Sequence, residues 1–157
     1  MIKVNFIKNN LLDKMSKERK IRMDFSSLVL MEKDNETGFL GKEVGSFSVG
    51  EGARFVKRLF LYKEEVTLVF DTNKDVEEWE FSAIFDLFNI DAFKEAGYEI
   101  EEVDEEYNPT WKIVLNYDEE LEEHEEMRAV LNDICNLIEV NMEKVFKDIE
   151  GKKEEYK

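Results

Sequence analysis

Apolar residues recur along this chain with two different periods, and the switches between them divide it into elements. Phe25 to Met31 is rich in Leu and Val, and Asp34-Asn35-Glu36-Thr37-Gly38 after it supplies turn formers with a glycine able to take positive φ. Phe39 to Val49, Phe55 to Tyr62 and Val66 to Phe70 follow as further strand signals, separated by Gly50-Glu51-Gly52 and by Lys63-Glu64-Glu65. Links this short predict four antiparallel strands in meander order. Apolar side chains occur on both faces of these strands: Phe25, Val29 and Met31 oppose Leu28 and Leu30, and Val66, Leu68 and Phe70 oppose Val69. A sheet with one fully wet face does not read this way, so the N-terminal segment or another subunit is expected to cover part of the second face.

The helical period takes over at Asp75, which with Glu78 can form a capping box for a helix from Val76 to about Phe88. Only Glu78, Ser82 and Asp86 make a wet stripe there, so this helix should be largely buried. A short helical turn, Asp91 to Ala96, ends at Gly97 as a left-handed cap. Strand alternation then returns from Tyr98 to Val103 and in Trp111, Ile113, Leu115 and Tyr117, with Asp104 to Pro109 as the loop between. Asp118-Glu119-Glu120 is expected to open a last helix that ends at Gly151, about thirty residues or roughly 45 Å long. Its stripe of Met127, Leu131, Ile134, Ile138, Met142, Val145 and Ile149 should pack on the sheet or on a second subunit. The predicted fold is α+β: a twisted antiparallel sheet, a four-strand meander plus a hairpin, packed by a buried central helix and a long C-terminal helix.

Charge refines the domain reading. The 157-residue chain holds 22 Lys and Arg against 38 Asp and Glu, a net charge of -16. Met1 to Arg22 runs against that trend with seven basic and two acidic side chains, so residues 23 to 157 carry a net -21. Residues 1–22 therefore read as a basic N-terminal arm, 23–151 as one acidic α+β domain and 152–157 as a charged tail. Val4, Ile7, Leu11 and Met15 form an apolar stripe at helical spacing in the arm, although Ile2, Val4 and Phe6 also alternate as a strand would; the helix is favoured. The acidic body opposes direct contact with nucleic acid or an anionic membrane. A single cysteine, no signal-peptide core and no apolar run of about 20 residues predict a cytoplasmic protein.

Candidate chemistry is sparse. His124, the one histidine, has Glu120 and Arg128 four residues to either side, and reads as a salt-bridged boundary residue before a metal ligand or a catalytic group. Cys135 reads as a small buried hydrophobe and Gly50-Glu51-Gly52 as a hairpin turn rather than a phosphate loop. Two acidic clusters remain: Glu99 to Glu106, with six acids in eight positions, and Asp118 to Glu126, with seven in nine. Neither contains a calcium-loop pattern, and no cofactor or metal site is expected. The leading expectation is a small non-enzymatic interaction or regulatory protein that binds a basic protein surface through Glu119, Glu120, Glu122, Glu123, Glu125 and Glu126. The alternatives are a carboxylate- or divalent-ion-dependent enzyme, and a phosphate-mimicking inhibitor of a nucleic-acid-binding protein. The arm and the last helix are also candidate surfaces for a homodimer.

Overall fold

The computed structural model describes residues 26–157. The basic arm expected over residues 1–22, with its helical stripe, lies outside the described residues. The strands are β1 Ser26–Lys33, β2 Leu40–Val49, β3 Val56–Tyr62, β4 Glu65–Asp71, β5 Glu99–Val103 and β6 Thr110–Asn116. The helices are α1 Glu78–Leu87, α2 Ile90–Glu95, α3 Glu119–Glu122 and α4 His124–Asp148. The fold is mixed α+β, with the strands in one six-stranded sheet of order β2-β1-β3-β4-β6-β5.

That order corrects the expected meander. β1 and β2 form an antiparallel hairpin, but β3 lies on the opposite side of β1 and runs parallel to it through Met31↔Phe60 and Glu32↔Leu61. Gly50-Glu51-Gly52 is accordingly not a hairpin turn: it leads into a 3-10 turn, Glu51–Phe55, that carries the chain from the edge strand past β1 and against α4. Gly52 permits the crossing, because a Cβ there would lie 1.9 Å from the carbonyl oxygen of Cys135 in α4. The other strand pairs, β3 with β4, β4 with β6 and β6 with β5, are antiparallel.

Alternation then decides which side chains are buried. Leu30, Val66, Leu68, Phe70, Trp111 and Ile113 project from one face of the sheet and are fully buried. They share a core with Ala83 and Ile84 of α1, Phe93 of α2 and the α4 stripe from Met127 to Ile149, of which no member exceeds 5% exposure. The stripe thus packs on the protein's own sheet. At about 25 cal/mol per Å² such burial is the main stabilising term, and the sheet and α4 both contribute to it. α1 starts later than the expected Val76: its N-cap is Glu77, whose amide donates to the Glu80 carboxylate at 2.8 Å. Asp75 is used elsewhere, accepting from the Asn108 side chain. The expected wet stripe Glu78, Ser82 and Asp86 is exposed, while Trp79, Phe81, Phe85 and Leu87 are half-buried, so α1 is less deeply covered than its sequence implies.

One local conflict stands out in the β3–β4 hairpin. Its two turn residues, Lys63 at φ 49° and Glu64 at φ 68°, both occupy the left-handed region, where a side chain costs about 1–2 kcal/mol per residue. Asn-Gly is the pair this turn favours. The double change Lys63→Asn with Glu64→Gly is expected to stabilise the fold by about 1 kcal/mol and raise the thermal midpoint by roughly 2–4 °C. A midpoint that falls in calorimetry would mean that the two native side chains contribute more than their backbone conformation costs.

Candidate functional site: an acidic corner and the groove beside it

Asp118 to Glu126 owes its shape to two anchors. Asp118 caps α3, its carboxylate accepting from the amides of Glu120 and Leu121 at 3.1 and 3.3 Å. A continuous helix would run on from there, but Glu123 is extended at φ -73° and ψ 131° and separates α3 from α4. The single long helix expected from Asp118 is therefore two, and α4 has 25 residues, about 37 Å. The second anchor lies immediately after the break. His124 Nε2 donates to the Ser46 carbonyl at 3.0 Å, and the ring stacks on Phe47 with 4.7 Å between centroids. A carbonyl only accepts, so the shared proton belongs to Nε2. His124 pins the acidic corner to the edge strand β2, and the Glu125 carboxylate stands 4.0 Å from its Nδ1.

The six carboxylates expected to form a docking patch, Glu119, Glu120, Glu122, Glu123, Glu125 and Glu126, are all exposed. Among the described residues only Glu125 is held by an Arg or Lys, Arg128 at 3.0 Å. Glu122 alone of the six also lines an open groove of about 940 Å³ between the β1–β2 hairpin, the β3–β4 turn and Tyr117. Glu32 of β1 and Glu64 of the turn line it too.

Tyr117 marks the convergence. Its amide donates to the Glu64 carbonyl at 2.8 Å, which ties the end of β6 to the β3–β4 turn. Its hydroxyl is held above the usual phenol range by burial first, then by the charges of Glu122 and Glu32. Two carboxylates far apart in sequence thus share one groove with this phenol. Three lysines, Lys33, Lys42 and Lys63, line the groove beside the acids, and two of them lie over aromatic rings: Lys33 Nζ is 5.1 Å from the Phe60 centroid and Lys63 Nζ 5.3 Å from that of Tyr62. Glu32 and Glu122 accept no ion pair from a described residue. This pairing of sites across the fold was not visible in the spacing of the acids.

The second acidic cluster sits on the far edge. Glu99, Glu101 and Glu102 belong to β5, and Glu101 approaches Lys112 at 3.9 Å. Charge along an edge strand discourages another strand from pairing with it, a structural use that needs no ligand. Cys135 is buried, and burial first and the Glu139 charge second push its thiol up to about 12, which suits a small core hydrophobe. Among the described residues no group of three or more His, Cys, Asp or Glu side chains is placed to hold a metal ion. No helix among them is long and apolar enough to cross a membrane.

Sheet, helices and groove define an α+β protein with one layer of helices on a six-stranded sheet. Residues 23–157 match the profile of a family of unknown function (DUF6762), and the chain belongs to that family. No curated protein and no solved structure matches it.

Proposed function

We propose that this protein is a non-enzymatic interaction module that seats a basic segment of a partner protein in the groove beside Tyr117. The observation that carries this reading is that Glu32, Glu64 and Glu122, from three separate elements, line one open groove together with Tyr117. A groove that holds a tyrosine ring and several carboxylates is complementary to a Lys or Arg side chain, which can place its stem on the ring and its charge among the acids. The exposed acids of the corner, Glu119, Glu120, Glu123 and Glu126, add a negative field around the entrance. Such a field raises the rate of encounter with a basic surface and does so less as salt is added.

A 12-residue peptide of alternating Arg and Ala serves as the probe in calorimetric titrations of the full chain. Replacing Glu32 and Glu122 together with glutamine is expected to weaken binding about tenfold or more, since each charge-assisted contact contributes roughly 1.5–3 kcal/mol. Replacing Glu102 and Glu106 on the far edge is expected to change it less than about threefold. Equal losses for the two pairs would mean that the peptide reads net charge alone, and the groove would lose its role.

A further inference from the structure

The helices pack on one face of the sheet, and the register of the strands writes an apolar row across the other. Met31 pairs with Phe60, Phe60 with Thr67, and Thr67 with Val114, all projecting away from the helical layer. On the edge strand the partner of Met31 is Glu43, and Val44, the extra residue at the register shift, is exposed next to it. Val29 and Val69 flank the row on the same face. Val29 and Val44 are exposed at 42% and 37%, and Met31, Phe60, Val69 and Val114 are half-buried. The middle of this face is concave, about 510 Å³, with Arg58, Phe60, Thr67, Val69 and Lys112 among its lining. Its three cations already have local partners: Lys57 approaches Asp71 at 3.8 Å, Lys112 faces Glu101 at 3.9 Å and Arg58 lies over the Phe60 ring.

We propose that residues 1–22 of this chain are the cover of that face, laid across the sheet with Val4, Ile7, Leu11 and Met15 on the apolar row. Three features of the chain select this occupant over a second copy. The segment leads directly into β1, whose Val29 and Met31 belong to the face, so its local concentration there is in the millimolar range that short tethers give. The lengths are comparable: a helical stripe from Val4 to Met15 spans about 17 Å, and the row from Met31 on β1 to Val114 on β6 spans three strand spacings, about 14 Å. Ten residues, 16 to 25, link the stripe to Ser26 and reach up to roughly 30 Å, enough to bring it over the face. The segment carries seven basic and two acidic side chains and joins a body of net -21, although the concavity itself holds Lys57, Arg58 and Lys112 beside Asp71 and Glu106, so its apolar stripe rather than charge sets where it lies.

The test uses the full chain with labelled methyl groups, in dilute solution. Nuclear Overhauser contacts are expected from the methyls of Val4, Ile7, Leu11 and Met15 to those of Met31, Val69 and Val114. In a mixture of labelled and unlabelled chains they should persist within one molecule. Contacts found only between differently labelled molecules would show that a second copy covers the face, and their absence would show that neither does; each result overturns the proposal. As an independent reading, the full-chain variant Met31→Gln with Val114→Thr should be cut by trypsin in the segment Lys14 to Arg22 about tenfold faster than the native chain, because cleavage follows the population of the open form. An unchanged rate with an unchanged circular-dichroism spectrum would also overturn it.

Discussion

Replacing Gly52 with alanine is expected to lower the thermal midpoint by roughly 10 °C, a loss on the order of 3 kcal/mol or more. The new methyl group would lie 1.9 Å from the Cys135 carbonyl oxygen, 2.7 Å from its carbonyl carbon and 3.2 Å from its Cα. These are backbone atoms in the interior of α4, so no side chain can rotate aside. Either α4 or the Glu51–Phe55 turn must move, and Ala53 and Phe55 of that turn are buried. Gly41→Ala is the control, since no described residue lies within 4 Å of a Cβ there and removing a glycine also restricts the unfolded chain. Calorimetry that placed Gly52→Ala within about 2 °C of the native midpoint would show that the crossing does not pass this close to the helix.

Trp111→Ala is expected to cost about 3–5 kcal/mol, the usual range for emptying a large aromatic site, measured as the shift in urea midpoint at constant slope. Trp111 is fully buried between the sheet and α1, with ring centroids 4.3 Å from Phe88, 5.2 Å from Phe85 and 5.3 Å from Phe70. Its loss would open a cavity among rings that cannot all collapse inward. Trp111→Phe separates packing from polarity. Among the described residues the indole Nε1 is buried without a hydrogen-bond partner, so removing it relieves a desolvation cost of about 1–3 kcal/mol and offsets part of the lost volume. A phenylalanine variant as unstable as the alanine one would mean that the indole nitrogen is satisfied after all. Tyr107→Ala, at a position 78% exposed, should fall within about 0.5 kcal/mol of the native protein.

Elements that bury one side by a local period could be read directly. The α4 stripe from Met127 to Ile149 and the alternation of Trp111 and Ile113 declared their buried faces because neighbours in sequence are also neighbours on the surface being covered. The order of the strands could not be read this way. Gly50-Glu51-Gly52 suits a hairpin and a crossover equally well, and the choice rests on Gly52 meeting Cys135, far along the chain. The break at Glu123 was hidden for the same reason. The acids around it are good helix formers, and the interruption accompanies the contact of His124 with Ser46, 78 positions away. Of the six carboxylates named from sequence, only Glu122 faces the groove, and Glu32, its counterpart there, carried no signal because β1 reads as an ordinary strand.

The groove is tested most directly by following backbone amide shifts of the labelled full chain as the Arg-Ala peptide is added. The largest changes are expected at Glu32, Glu64, Tyr117 and Glu122, saturating together and fading as salt is raised. Changes of equal size along Glu99 to Glu106, or none at Tyr117 when the peptide is in excess, would contradict a specific basic-segment site and leave only the general attraction of an acidic surface.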